Sequence, residues 1–105
     1  MYTYHATVTR VIDGDTVEAV VDLGFQIRHT IRVRLLNVHA PELFSGTNRD
    51  KGAQAKAYLE TLCLHKPVRL TTHKDRVSFN RYVATLTTET MNINEVMQTY
   101  CETLL

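Results

Sequence analysis

A mainly β fold with helices, five short strands and two helices forming one small barrel, is what this chain of 105 residues predicts. Three observations carry it. Apolar and polar residues alternate along Val17 to Leu23 and again along Ile31 to Leu35, the two-residue period of strands with one buried face. A hairpin signal, Asp13-Gly14, sits between two apolar runs. Two other stretches, Gly52 to Leu64 and Ile93 to Leu104, repeat apolar residues at three and four, the spacing of helices with one buried stripe.

The elements follow in order. Residues 6–12 are rich in β-branched types and form the first strand. After the turn at Asp13-Gly14, the second strand places Val17, Ala19, Val21 and Leu23 on one face, and Gly24 marks the next turn. Residues 27–36 make the third strand, with Ile31, Val33 and Leu35 inward and Arg28, Arg32 and Arg34 together on the other face. Pro41 ends it and opens a loop. The first helix has Ala55, Tyr58, Leu59 and Leu62 on its stripe. Pro67 starts a fourth strand, Val68 to Thr72, and the charged run His73 to Asn80 reads as a turn. The fifth strand is Arg81 to Leu86. Asn92 and Glu95 have capping-box spacing ahead of the last helix, whose stripe is Ile93, Val96, Met97, Tyr100 and Leu104. Five strands with a helix between the third and fourth match the five-stranded OB barrel.

Composition narrows the class. The chain is 44% hydrophobic and 22% charged, which excludes a disordered or low-complexity protein, and its length suits a single domain, 1–105. No apolar run reaches the ~20 residues that span a bilayer, and the N-terminus lacks a signal-peptide pattern, so a cytoplasmic protein with no membrane partner is expected. Cys63 and Cys101 are expected as buried reduced thiols, a disulfide being the other option. All twelve basic residues lie between Arg10 and Arg81, eight of them arginine. Residues 1–81 therefore carry +4 and the remainder −3. Arginine's planar fork suits phosphate.

Three segments hold side chains suited to chemistry. Asp13-Gly14-Asp15-Thr16-Val17 sets two carboxylates on one tight turn, a donor set for a hard cation, although Asp-Gly also serves as a plain hairpin turn. Arg34-Leu35-Leu36-Asn37-Val38-His39-Ala40-Pro41-Glu42 ends a strand in a polar loop at the barrel mouth, where small-barrel sites sit. Phe79-Asn80-Arg81-Tyr82 turns the chain and holds Arg81 at the start of a strand.

Taken in order, Asp-Gly-Asp-Thr-Val, Arg-Leu-Leu-x-Val-x-x-Pro-Glu and aromatic-x-Arg before an apolar strand resemble the staphylococcal nuclease family over roughly residues 5–104. The resemblance implies an OB barrel and a metal-dependent phosphodiesterase acting on DNA or RNA, with Ca²⁺ as the usual ion. It implies Asp15 as a metal ligand, Asp13 as an acidic neighbour in the metal shell, and Ala40 as a carbonyl donor. It implies Arg34 and Arg81 as phosphate-binding catalytic arginines and Glu42 as the general base. His39 stands where that family has a second ligand aspartate. Imidazole in place of carboxylate favours Mn²⁺ over Ca²⁺, or Mg²⁺ if His39 only holds a coordinated water. His39 beside a bound water is a second candidate for the base. Tyr2, Tyr4, Phe25, Phe44, Phe79 and Tyr82 are candidate surfaces for stacking a base, with the core as the other place for Tyr82. The expected partner is single-stranded DNA or RNA, and the expected state a monomer. The alternative function is a catalytically weak or inactive OB-fold module that only binds nucleic acid.

Overall fold

The computed structural model describes residues 2–41, 49–78 and 81–104. The chain runs β1 (Thr3–Asp13), β2 (Thr16–Asp22), β3 (Arg28–Leu35), α1 (Arg49–Cys63), β4 (Pro67–Ser78), β5 (Arg81–Thr87) and α2 (Ile93–Leu104). The strands close into a barrel in the order β1-β2-β3-β5-β4. Every pair is antiparallel except β3 with β5, which is parallel and sets Arg34 beside Val83. This is the β+α OB barrel that the element order predicts. Closure removes the free edges that would otherwise template aggregation.

Alternation determines the core. Val8, Val17, Ala19, Val33, Leu35, Leu70 and Leu86 fill the barrel, while Ala55, Leu59 and Cys63 of α1 and Ile93, Met97 and Cys101 of α2 complete it. Both cysteines are free and buried. Tyr58 of α1 stacks on Tyr100 of α2 with centroids 4.0 Å apart, an aromatic contact that fixes the two helices against each other.

Two elements differ from expectation. β1 begins at Thr3 rather than residue 6, because Thr3 to Thr7 pair with Thr71 to Pro67 of β4. β4 does not turn at His73 but continues to Ser78, with a register shift between Thr72 and Val77. A polar run mimics a turn in sequence, yet ladder bonds come from the backbone and the bulge absorbs the irregularity. His73 is part of that ladder region, its Nε2 lying 2.7 Å from Thr85 Oγ1. The predicted turn residues Phe79 and Asn80 lie outside the described residues. Leu23, expected on the inward face, is exposed because the β2–β3 hairpin reaches beyond the barrel there.

Asn92 caps α2 as expected, accepting the Glu95 N–H on Oδ1 at 3.1 Å. The next turn carries the more consequential residue. Asn94 is buried at 6% exposure; its Nδ2 donates to the carbonyls of Leu36 (3.0 Å) and Ala84 (3.1 Å), and its Oδ1 accepts the Leu86 N–H (3.0 Å). One side chain thus ties α2 to β5 and to the end of β3, the two strands that carry Arg81 and Arg34.

Candidate active site

The site is built where β1, β2 and β3 meet α1. The tight turn between β1 and β2 needs Gly14, although not for its dihedral angles. A Cβ there would lie 2.6 Å from the Cβ of Ala55 in α1 and 2.7 Å from the Cβ of Ala40. Glycine therefore lets the helix and the loop after β3 close onto the turn. Within it, the Asp15 N–H donates to Asp13 Oδ1 at 3.0 Å, an Asx-type bond that orients both carboxylates.

Asp15 is the hub. Its Oδ1 accepts the Thr16 hydroxyl at 2.9 Å. Its Oδ2 faces the Ala40 N–H at 3.5 Å and lies 3.7 Å from Arg34 Nη2. Its backbone carbonyl accepts the Leu35 N–H at 2.8 Å, which locks the turn to the end of β3. Asp13 is half-buried. Burial first, then its bond to Asp15 and the like charge of that carboxylate, push its pKa up to about 6. Two carboxylates this crowded leave local negative charge that a cation would relieve.

Arg34 is held from both sides. Besides the Asp15 carboxylate, its Nη2 donates to the Val38 carbonyl at 3.3 Å. That carbonyl is in reach because Asn37 adopts a left-handed conformation, φ 64°, which asparagine tolerates better than most residues. The Val38 N–H closes the turn onto Leu35 O at 3.3 Å, and Val38 is fully buried beneath it. About a quarter of the Arg34 side chain still faces solvent, so the guanidinium is positioned but open to a ligand.

The structure brings Asp13, Asp15, Arg34 and Ala40 together. His39 is exposed on the loop beside Ala40. Arg81 opens β5 two residues before Val83, the register partner of Arg34. Tyr82 pairs in register with Val33, a core residue, and lines a cavity of about 210 Å³ with Tyr4, Ile31 and Leu70 at the barrel mouth, so it is not on the face that carries Arg34. Glu42 lies outside the described residues. Among the described residues, no group of three or more His, Cys, Asp or Glu surrounds a single point. A cation here would rest on the two aspartates, backbone oxygen and water.

Sequence reasoning missed Thr16, the Val38 carbonyl and Asn94. Only Asn94 left a signal, an amide at i on the stripe it shares with Met97 and Cys101 at i+3 and i+7 of a buried helix face.

Fold and site together define a closed OB-type barrel with an arginine–carboxylate site at the turn between its first two strands. Residues 32–100 match the family described as staphylococcal nuclease homologue, and the chain belongs to that family. It is also 31% identical over 94 residues to proteins from Escherichia coli O157:H7 and Escherichia coli, each named an uncharacterized endonuclease. The match covers 89% of this chain and 55% of each relative, so the chain spans about half the length of the curated proteins it resembles.

Proposed function

We propose that this chain is a metal-dependent nuclease that hydrolyses phosphodiester bonds in DNA or RNA. The observation that carries the reading is the Arg34 guanidinium, anchored by the Asp15 carboxylate and the Val38 carbonyl yet open to solvent beside a crowded two-aspartate turn. Membership of the family and the endonuclease names of the two relatives support it.

The donors suit a hard cation, since all are oxygen and the half-buried Asp13 carboxylate, its pKa raised to about 6 by burial and by Asp15, would gain from a positive neighbour. Asp15, Asp13 and the Ala40 carbonyl would hold a divalent ion such as Ca²⁺, Mg²⁺ or Mn²⁺, with His39 at its edge. When bound, the ion supplies Lewis-acid polarisation of a phosphoryl oxygen. The chain's own groups do the rest. Arg34, with Arg81, stabilises charge that builds on the phosphoryl oxygens, and its fixed position avoids reorganisation at that moment. Glu42 takes the proton of the attacking water. A family-type ligand position occupied by the His39 imidazole favours a second reading, a module that binds nucleic acid without cutting it.

Arg34→Ala separates the two. In an enzyme it lowers kcat on single-stranded DNA by about 10²-fold or more, the scale of losing one charge-stabilising donor, with circular dichroism unchanged. Cleavage at the wild-type rate would refute the assignment of Arg34.

A further inference from the structure

The site leaves two features of the β2–β3 hairpin unused. The first is the row of basic residues on the outer face of β3. Arg28, Thr30, Arg32 and Arg34 share that face, and all but Arg34 are exposed. At ~3.3 Å per residue the row runs about 20 Å. Two carboxylates neighbour it in register, Glu18 beside Arg32 and Asp22 beside Arg28. Neither forms an ion pair with it: among the described residues the one ion pair is Arg34 with Asp15. Asp22 is turned instead into the hairpin, where its Oδ1 accepts the Gly24 N–H at 2.8 Å. Arg10, register partner of Glu18 on the far side, adds another exposed positive charge. Glu18 and Asp22 are therefore outnumbered, and the guanidinium groups of Arg28 and Arg32 are free to bind.

The second is the hairpin tip. Gly24, Phe25 and Gln26 all have positive φ, at 80°, 53° and 63°. Glycine takes that conformation readily, but a phenylalanine is strained there. The turn is held shut by the Leu23 N–H on Ile27 O (2.9 Å) and the Ile27 N–H on Gly24 O (2.8 Å). Phe25 is 97% exposed. An aromatic ring held in water on a strained backbone adds nothing to the core. Such strain persists where the surrounding structure imposes it, often at binding sites.

We propose that the outer face of the β2–β3 hairpin is a track for single-stranded nucleic acid. Arg28 and Arg32 contact backbone phosphates, Phe25 stacks on a base, and the strand follows β3 to Arg34. A basic path combined with an aromatic platform is how sequence-tolerant single-strand binders work, and the strand 2–3 face is where OB barrels take oligonucleotides. The direction of the track rests on the reading of Arg34 as a phosphate ligand. The binding itself does not require cleavage.

The test is fluorescence anisotropy in EDTA, so that nothing is cut, with labelled oligothymidylate of about 12 nucleotides, within the span one such barrel covers, and with a labelled dinucleotide. The full chain is compared with Arg28→Gln/Arg32→Gln and with Phe25→Ala, all surface changes whose folding circular dichroism checks. Losing two phosphate contacts should lower the slope of log affinity against log salt by about 1.4. Phe25→Ala should weaken the oligomer on the order of 10-fold and leave the slope alone. The dinucleotide, which from Arg34 reaches Arg32 but neither Arg28 nor the tip, should bind wild type and Phe25→Ala equally and lose at most one phosphate contact in the arginine variant. An unchanged slope in the arginine variant, or equal losses on both probes, overturns the track. So does Phe25→Ala that changes sedimentation mass but not affinity, which would make the tip a self-association surface. A wild-type chain that binds the oligomer with the expected slope and cleaves nothing with metal added would sink the nuclease reading and leave the track standing.

Discussion

Asn94→Ala severs the link between the helical layer and the two strands of the site. Three hydrogen bonds disappear, to Leu36 O, Ala84 O and Leu86 N. Their losses differ in weight. Ala84 O keeps a partner, because it also accepts the Leu36 N–H at 3.0 Å. The Leu86 N–H, buried, and the Leu36 carbonyl, half-buried, lose the bonds that Asn94 makes to them. An unsatisfied buried group costs about 1–3 kcal/mol, so two such groups cost roughly 2–4 kcal/mol after partial relaxation. In a domain of this size each kcal/mol lowers Tm by about 4–8 °C, which predicts a fall on the order of 10–20 °C in a thermal scan followed by circular dichroism. Asn94→Asp retains the acceptor for Leu86 but turns a carboxylate toward two carbonyls, so it should be no milder. Activity measured well below both transitions should also fall, since Leu36 and Ala84 position the strands that carry Arg34 and Arg81. A Tm within about 2 °C of wild type would show instead that the bonds of Asn94 are readily replaced.

Other outcomes follow from the same geometry. Gly14→Ala forces a methyl group into contact with Ala55 and Ala40, and overpacking of this kind costs about 1–3 kcal/mol; urea denaturation should show the loss, and Ala55→Gly in the same chain should recover part of it. His39→Asp restores negative charge beside the aspartate turn, so calorimetric Ca²⁺ affinity and Ca²⁺-dependent cleavage should rise together, while His39→Ala raises neither; unchanged affinity in the aspartate variant would place His39 away from the ion. Burial pushes the Cys63 thiol up to about 12 and the Cys101 thiol up to about 11, so neither should react with a disulfide reagent at pH 8 until the chain is unfolded, and rapid native labelling would contradict their burial.

How much the sequence reveals depends on what each residue does. The alternation of Val17 to Val21 and of Ile31 to Leu35 fixes which faces are buried, because a slip of one residue would invert every side chain. The same period identified the outward row Arg28, Arg32 and Arg34. Asp15 and Arg34 were legible as chemistry, and the structure places them 3.7 Å apart. The continuation of β4 through His73 was not legible, since a polar run in a strand and a polar turn have the same composition. Nor was the role of Gly14, whose missing Cβ matters because of Ala55, forty-one positions away. Whether Tyr82 belongs to the core or to a stacking surface is not legible locally either: its parallel register with Val33 sets it on the barrel side, yet half of it stays exposed at the cavity mouth. Long-range pairing determines such details, and a local pattern does not encode it.

Cleavage by this chain should depend on a divalent metal and on Arg34. Its most direct test incubates wild type and Arg34→Ala with single-stranded DNA in Ca²⁺, Mg²⁺, Mn²⁺ and EDTA and resolves the products on a denaturing gel. Wild type should cleave in at least one metal lane, with cleavage abolished by EDTA and nearly lost in the variant; the proposed place of the His39 imidazole beside the ion makes Mn²⁺ or Mg²⁺ the strongest lane. Intact DNA in every lane, from a protein that binds it, would contradict the enzyme and leave a binding module.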